Sequence, residues 1–269
     1  MLTKYFLPLV FILSTASALA AKPQPLRKGL LSTASVGARY SSLMQHRGVV
    51  TYDDFQVSPF LVLIFFDEKV EFLGDSLGFR DFIAGDYLRF RTRIQYVSDT
   101  PFLPRNENIE NNGTNREDTY EWVNGLELFV PGYGKNYRAE LSLMHYKDVK
   151  AHRGEFFEFQ GKIKLFDFKT SLSGARLEPN FVYTTGIGDK RHNDYAYGPG
   201  EGASGQTYHS YGLWLAIPEV VDRYYPNVQL TYFETSSSQR DGVFAKDRDQ
   251  GVLFSFIASF SVLDWWKNR

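Results

Sequence analysis

The sequence predicts an all-β chain folded as an antiparallel up-and-down transmembrane β-barrel of about 10–12 strands. Three observations lead there: two-residue alternation in residues 86–97, DYLRFRTRIQYV; connections that alternate long and short; and an aromatic share of 16%, with 17 tyrosines and 23 phenylalanines. Successive side chains of a strand point to opposite sides, so Leu88, Phe90, Thr92, Ile94 and Tyr96 share one face, and Arg89, Arg91, Arg93 and Gln95 the other. That alternation fits a soluble sandwich as well as a barrel with its apolar face in lipid. Aromatic excess favours the barrel, whose lipid-facing strands and interfacial girdles require it.

Residues 1–20 read as a secretory signal peptide: Lys4 is the basic n-region, residues 5–13 the apolar h-region, and Ala18-Leu19-Ala20 a small-x-small cleavage site. The apolar run is shorter than the ~20 residues a membrane-spanning helix needs. Residues 21–29, with Pro23 and Pro25, read as a periplasmic leader, and residues 30–269 as the outer-membrane barrel. The longest later apolar run, FLVLIFF at residues 60–66, has the length of a strand.

Strand-like runs follow at residues 32–40, 55–66, 70–79, 87–97, 120–130, 137–146, 156–166, 180–186, 208–217, 228–235 and 252–262, with one more around 45–52. Between them residues 98–119, 187–207 and 236–250 make long connections. Residues 131–136 and 173–179 make short ones, 218–227 a shorter one than its neighbours, and 147–155 an intermediate one. Outer-membrane barrels pair short periplasmic turns with long outer loops, whereas a soluble sandwich has no reason to keep that parity. The long connections are polar, as in NENIENNGTNRED at residues 106–118, and Asn112-Gly113-Thr114 reads as part of a solvated loop.

The last strand, with Phe254, Phe256, Ala258 and Phe260 on one face, resembles the Gly- and aromatic-containing terminal strand read by the outer-membrane assembly machinery. Beyond it, Trp265 and Trp266 are expected at the lipid–water interface.

Charges of both signs recur on the inward faces. Glu121 and Glu127 fall opposite Tyr120, Trp122, Leu126 and Leu128; Arg138 and Glu140 opposite Ala139 and Leu141; Glu158, Lys162 and Lys164 continue the pattern. With Arg89, Arg91 and Arg93 these ten residues are the expected lumen-lining set, paired across neighbouring strands to fill a narrow barrel. A solute-selecting constriction is the alternative use of the same charges.

Reactive constellations are sparse. No cysteine is present, which removes disulfide and thiolate-metal chemistry, and a net charge of -1 gives no reason to expect nucleic acid. His209-Ser210 is the obvious base–nucleophile pair, but alternation sends Ser210 into the lumen and His209 outward. His145 and Ser142 likewise fall on opposite faces. His46, His152 and His192 lie in or near turns without metal-ligand spacing. The glycine-rich 198–202 stretch precedes no helix and reads as an outer loop, not a phosphate cradle. Catalytic, metal-binding and cofactor residues are therefore assigned as none.

Ser58-Pro59-Phe60 leading into FLVLIFF, His152-Arg153-Gly154, HNDYAYGPGEGASGQTYHSYG at residues 192–212 and QRDGVFAKDRDQGVLFSFIASF at residues 239–260 together resemble the MipA/OmpV family of outer-membrane proteins. Asn193-Asp194-Tyr195-Ala196-Tyr197-Gly198, followed by Tyr208, is the most specific. The chain departs from the family in its extended C-terminus and in Gly242-Val243-Phe244, where many relatives carry a Ser-Pro pair. The resemblance implies a non-enzymatic scaffold in the outer membrane of a Gram-negative bacterium, contacting outer-membrane lipid and joining a murein lytic transglycosylase to a murein synthase. A small passive pore, a surface antigen or adhesion protein, and a lipid- or lipopolysaccharide-modifying barrel enzyme are the alternatives.

Overall fold

The computed structural model describes residues 29–47, 49–52, 55–97, 118–132, 137–166, 168–169, 176–198, 203–217, 224–242 and 249–263. The expected signal peptide, most of the leader, the loop segment 106–117, the 199–202 glycines, the Val243-Phe244 pair, Trp265 and Trp266 lie outside the described residues.

Twelve strands close on themselves, every neighbour antiparallel. In chain order they are β1 (Leu31–Ser41), β4 (Gln56–Phe65), β5 (Val70–Phe72), β6 (Ser76–Ala84), β7 (Leu88–Val97), β8 (Thr119–Pro131), β9 (Tyr137–Asp148), β10 (Glu155–Lys164), β12 (Arg176–Gly188), β13 (Gly205–Ala216), β14 (Tyr224–Thr235) and β15 (Gln250–Ser261). The first and last strands meet to close the ring, and every other pairing in the wall joins successive strands. β1 pairs with β15 from Ser35↔Ser261 to Ser41↔Ser255, and β10 pairs with β12 from Phe156↔Gly188 to Lys164↔Asn180. The two-residue β11 (Phe168–Lys169) extends the turn before β12. Closure leaves no long sheet edge to aggregate.

The strands form where the sequence alternates. In β8 the odd-numbered Glu121, Val123, Gly125, Glu127 and Phe129 are buried, and Tyr120, Trp122 and Leu126 are exposed. The buried side of the wall is the lumen, where polar and charged side chains pack around a cluster of Val123, Met144, Tyr146, Phe156 and Tyr208, while large apolar side chains stand exposed on the outer surface. The connections at one end are 42–55, 73–75, 98–118, 149–154, 189–204 and 236–249; at the other end they are 66–69, 85–87, 132–136, 165–175 and 217–223. The three connections expected to be long, here 98–118, 189–204 and 236–249, all lie at the first end and 42–55 joins them; at the other end the short turn expected at 173–179 is corrected to a connection of 165–175, because β12 already begins at Arg176.

Two further expectations are corrected. The single strand at 70–79 is two, because Gly74 adopts φ +81° and the Leu73 and Ser76 backbones bond across the turn (N···O 3.0 Å). The apolar alternation on either side masks that Gly-Asp turn. The strand expected around 45–52 does not join the barrel wall. It folds as a separate hairpin of β2 (Met44–His46) and β3 (Val49–Tyr52). The count of twelve therefore agrees with the sequence reading while one member differs. A helix, α1 (Lys190–Tyr197), forms within the 189–204 connection, with Asp189 as its N-cap accepting from the His192 N–H at 2.8 Å.

Candidate functional site: the lumen and its plug

Strand register brings the expected charges together. Arg89 lies opposite Glu127 across β7 and β8, and its Nε donates to that carboxylate at 2.5 Å. Arg91 donates to Glu127 at 2.9 Å and to Glu71 at 3.0 Å, and Arg80 stands 3.6 Å from Glu71 and from Glu68. Further round, Lys162 meets Glu140 at 2.5 Å and Lys164 meets Glu178 at 2.9 Å. Glu71 and Glu127 are almost fully buried, and each is held by arginine. Such a network is stable because its ions are paired and hydrogen-bonded, while removing one member strands the others.

Other members of the set find different partners. Glu158 accepts the Tyr208 hydroxyl at 2.7 Å and the Tyr146 hydroxyl at 3.3 Å. Arg93 faces an open cavity, and Arg138 is exposed at the start of β9 instead of lining the lumen. Glu121 lies opposite Gln95, which donates to it at 2.9 Å. Its cation comes from outside the wall: Arg47, at the turn of the β2–β3 hairpin, donates to both Glu121 oxygens at 2.6 Å.

That hairpin is a plug. The Arg47 guanidinium lies over the rings of Tyr146 at 4.5 Å and Phe156 at 4.6 Å, the Tyr197 hydroxyl donates to the Arg47 carbonyl at 2.6 Å, and Val49 and Val50 are buried beside it. Burial opposes the charge on Arg47, but Glu121 outweighs it and holds the guanidinium pKa above its ordinary value. Sequence reading missed Arg47; the available signal was that register leaves Glu121 facing an amide rather than a cation.

Around the plug the long connections lock together. Buried Asp148 accepts the backbone N–H groups of Lys150, His152 and Arg153 at 2.9 to 3.1 Å and the Thr119 hydroxyl at 2.5 Å. This folds the 149–154 turn tightly enough for α1 to rest on it: a Cβ on Gly154 would lie 2.4 Å from the His192 nitrogen. His152 and His192, expected in or near turns, are ring neighbours at 5.4 Å, with His192 in α1. His192 also stacks on Phe156 at 4.8 Å and His152 stands 3.3 Å from Asp148. Burial pushes the His152 imidazole below its ordinary range against the opposing pull of Asp148. Gln239, buried in the 236–242 turn, donates to the Ala203 carbonyl at 2.8 Å and ties that connection to the others.

Arg47 forms part of the wall of a lumen cavity of ≈ 340 Å³, lined also by Arg39, Arg93, Glu158, Ser210 and Trp214. Ser210 is buried there, whereas His209 faces outward, 3.5 Å from Glu234 and against Tyr211, as alternation predicts. His145 packs on Phe157 outside the barrel, on the opposite face from Ser142. Both Ser–His pairs are thus split by the wall. Among the described residues no three His, Asp or Glu side chains converge in a way that could hold a metal ion. The chain matches no protein-family model and no curated protein.

Proposed function

We propose that this chain is an outer-membrane β-barrel without enzymatic activity, closed at its outer mouth by its own connections and serving as a scaffold for murein-synthesising and murein-cleaving enzymes. The observation that carries the membrane reading is the inverted polarity of the wall. Trp122 (53%), Leu213 (54%) and Leu230 (50%) are exposed on the outside while Glu71 (1%) and Glu121 (2%) are buried inside. In water each large apolar side chain left outside forgoes about 1.5–3 kcal/mol of burial, a loss that hydrocarbon removes.

The plug favours a scaffold over a passive pore, since Arg47 and α1 stand across the mouth where solute would enter. The murein partners rest on the resemblance of residues 192–212 and 239–260 to MipA/OmpV proteins. Leu213→Arg tests the membrane reading. At a lipid-facing site near mid-bilayer it should cost about 2–4 kcal/mol and weaken the heat-modifiable gel band, whereas on a water-facing surface the change stays within roughly 0.5 kcal/mol. Affinity capture from detergent-solubilised envelopes tests the scaffold, and recovery of neither a lytic transglycosylase nor a murein synthase refutes it.

A further inference from the structure

We infer that the lumen cavity is a binding site for a small sugar acid, a single hydroxylated ring carrying one carboxylate. At ≈ 340 Å³ the cavity lies within the usual range of about 300–1,000 Å³ for ligand pockets. Its charge is not balanced as it is elsewhere in the barrel. Arg89 and Arg91 are held by Glu127 and Glu71, and Arg47 by Glu121. Arg93 stands between Gly78 and Val123 in the sheet, so neither cross-strand neighbour brings it a carboxylate, and its buried Nε has no hydrogen-bond partner. Arg39 stands between Ser58 and Ile257 and donates only to the Ser255 hydroxyl, at 3.1 and 3.3 Å. Two guanidinium forks therefore line the cavity with no carboxylate in ion-pair contact among the described residues, the one acid of the wall, Glu158, being held by tyrosines instead; such forks recognise planar oxyanions.

The remaining lining selects among anions. Glu158, held by two tyrosine hydroxyls, is a negative charge in the same wall, which disfavours a dianion such as phosphate or sulfate and leaves a monoanionic carboxylate. The amides of Gln95, Gln160 and Gln229 and the hydroxyls of Thr184 and Ser210 offer both donors and acceptors, as sugar hydroxyls require. Trp214, fixed by its indole N–H donating to Thr231 at 3.3 Å, supplies a flat apolar surface for a ring.

The site depends on the lumen alone, so a failed capture of murein enzymes leaves it standing, and a failed titration leaves the scaffold standing. The test is calorimetric titration of the full barrel in detergent with glucuronate, glucose and sulfate, folding being checked by heat-modifiable mobility. Glucuronate should bind saturably at one site, with glucose and sulfate at least about tenfold weaker, because each lacks one half of the recognition. Arg93→Gln and Arg39→Gln should each weaken glucuronate by about tenfold. Arg93→Lys, which keeps the charge and loses the fork, guards against a misfolded Gln variant and should also bind more weakly. No saturable glucuronate binding, sulfate binding as tight as glucuronate, or undiminished affinity in the folded arginine variants overturns the assignment.

Discussion

Replacing Arg47 by alanine should release the plug while leaving the barrel wall intact. The guanidinium makes two 2.6 Å bonds to Glu121, and the two side chains are 6% and 2% exposed. Alanine removes the cation but not the carboxylate, and stranding a buried ion in this way costs about 3–5 kcal/mol. Gln95 still donates to Glu121 at 2.9 Å, which places the loss toward the lower end. At about 1.4 kcal/mol per tenfold change, plug opening should become more populated by roughly two to three orders of magnitude. Hydrogen exchange at the buried Val49 and Val50 amides reads that population directly, and planar-bilayer recording reads its consequence as new channel openings. The double variant Arg47→Ala with Glu121→Gln should recover part of the loss, because the stranded charge is gone. Unchanged exchange at Val49 and Val50 in a folded Arg47→Ala barrel would refute the plug as the element that closes the mouth.

Arg91→Glu sets a third carboxylate beside Glu71 and Glu127, both of which Arg91 now bridges at 2.9 Å, so the heat-modifiable band should be lost or strongly reduced. Gly154→Val forces α1 off the 149–154 turn, where a Cβ already falls 2.4 Å from the His192 nitrogen; protease cleavage within 189–204 should increase while the barrel core resists. Acid should loosen the same region: with His152 held below its ordinary pKa, the unfolded turn binds a proton that the native one resists. Stability is therefore complete above about pH 6.5 and falls as pH drops toward the native value. Asp148, Glu121 and Asp189 pull toward protonation and Arg47 against it, and His192 packs alongside. Proteolysis at pH 7.5 and 5.5 checks this, and His152→Gln should flatten the difference.

Much of the wall was legible because one physical rule, two-residue alternation, fixes both secondary structure and facing. Arg89 and Glu127 could be expected to meet because their strands are antiparallel neighbours with inward residues in phase, and they do. The Gly74 turn was hidden because apolar residues flank it in a strand's own rhythm, Phe72 before and Leu77 after. The plug was illegible for a different reason. MQHRGVVTY has strand composition, and only tertiary contact with Glu121, Tyr146 and Tyr197 decides that it folds into the lumen instead of extending the wall. Likewise α1 is too short to show a helical period, and what holds it is the Asp189 cap and the packing of His192 on Phe156.

The arginines of β7 also settle register, which hydrophobicity by itself leaves open in β4, where both faces are apolar from Phe60 to Phe65. A one-residue slip of β7 against β8 would turn Arg89, Arg91 and Arg93 to the outside and bring Phe90, Thr92 and Ile94 against Glu127 and Glu121. In a bilayer each arginine so exposed near the midplane costs about 2–4 kcal/mol, hence roughly 6–12 kcal/mol for the three, and the stranded carboxylates add to that. The misregistered sheet is thus penalised on both faces at once. Charges that contribute little net stability as ion pairs still specify a single alignment, and β4, which lacks them, takes its alignment from β1, where Ser41 and Arg39 sit opposite Gln56 and Ser58.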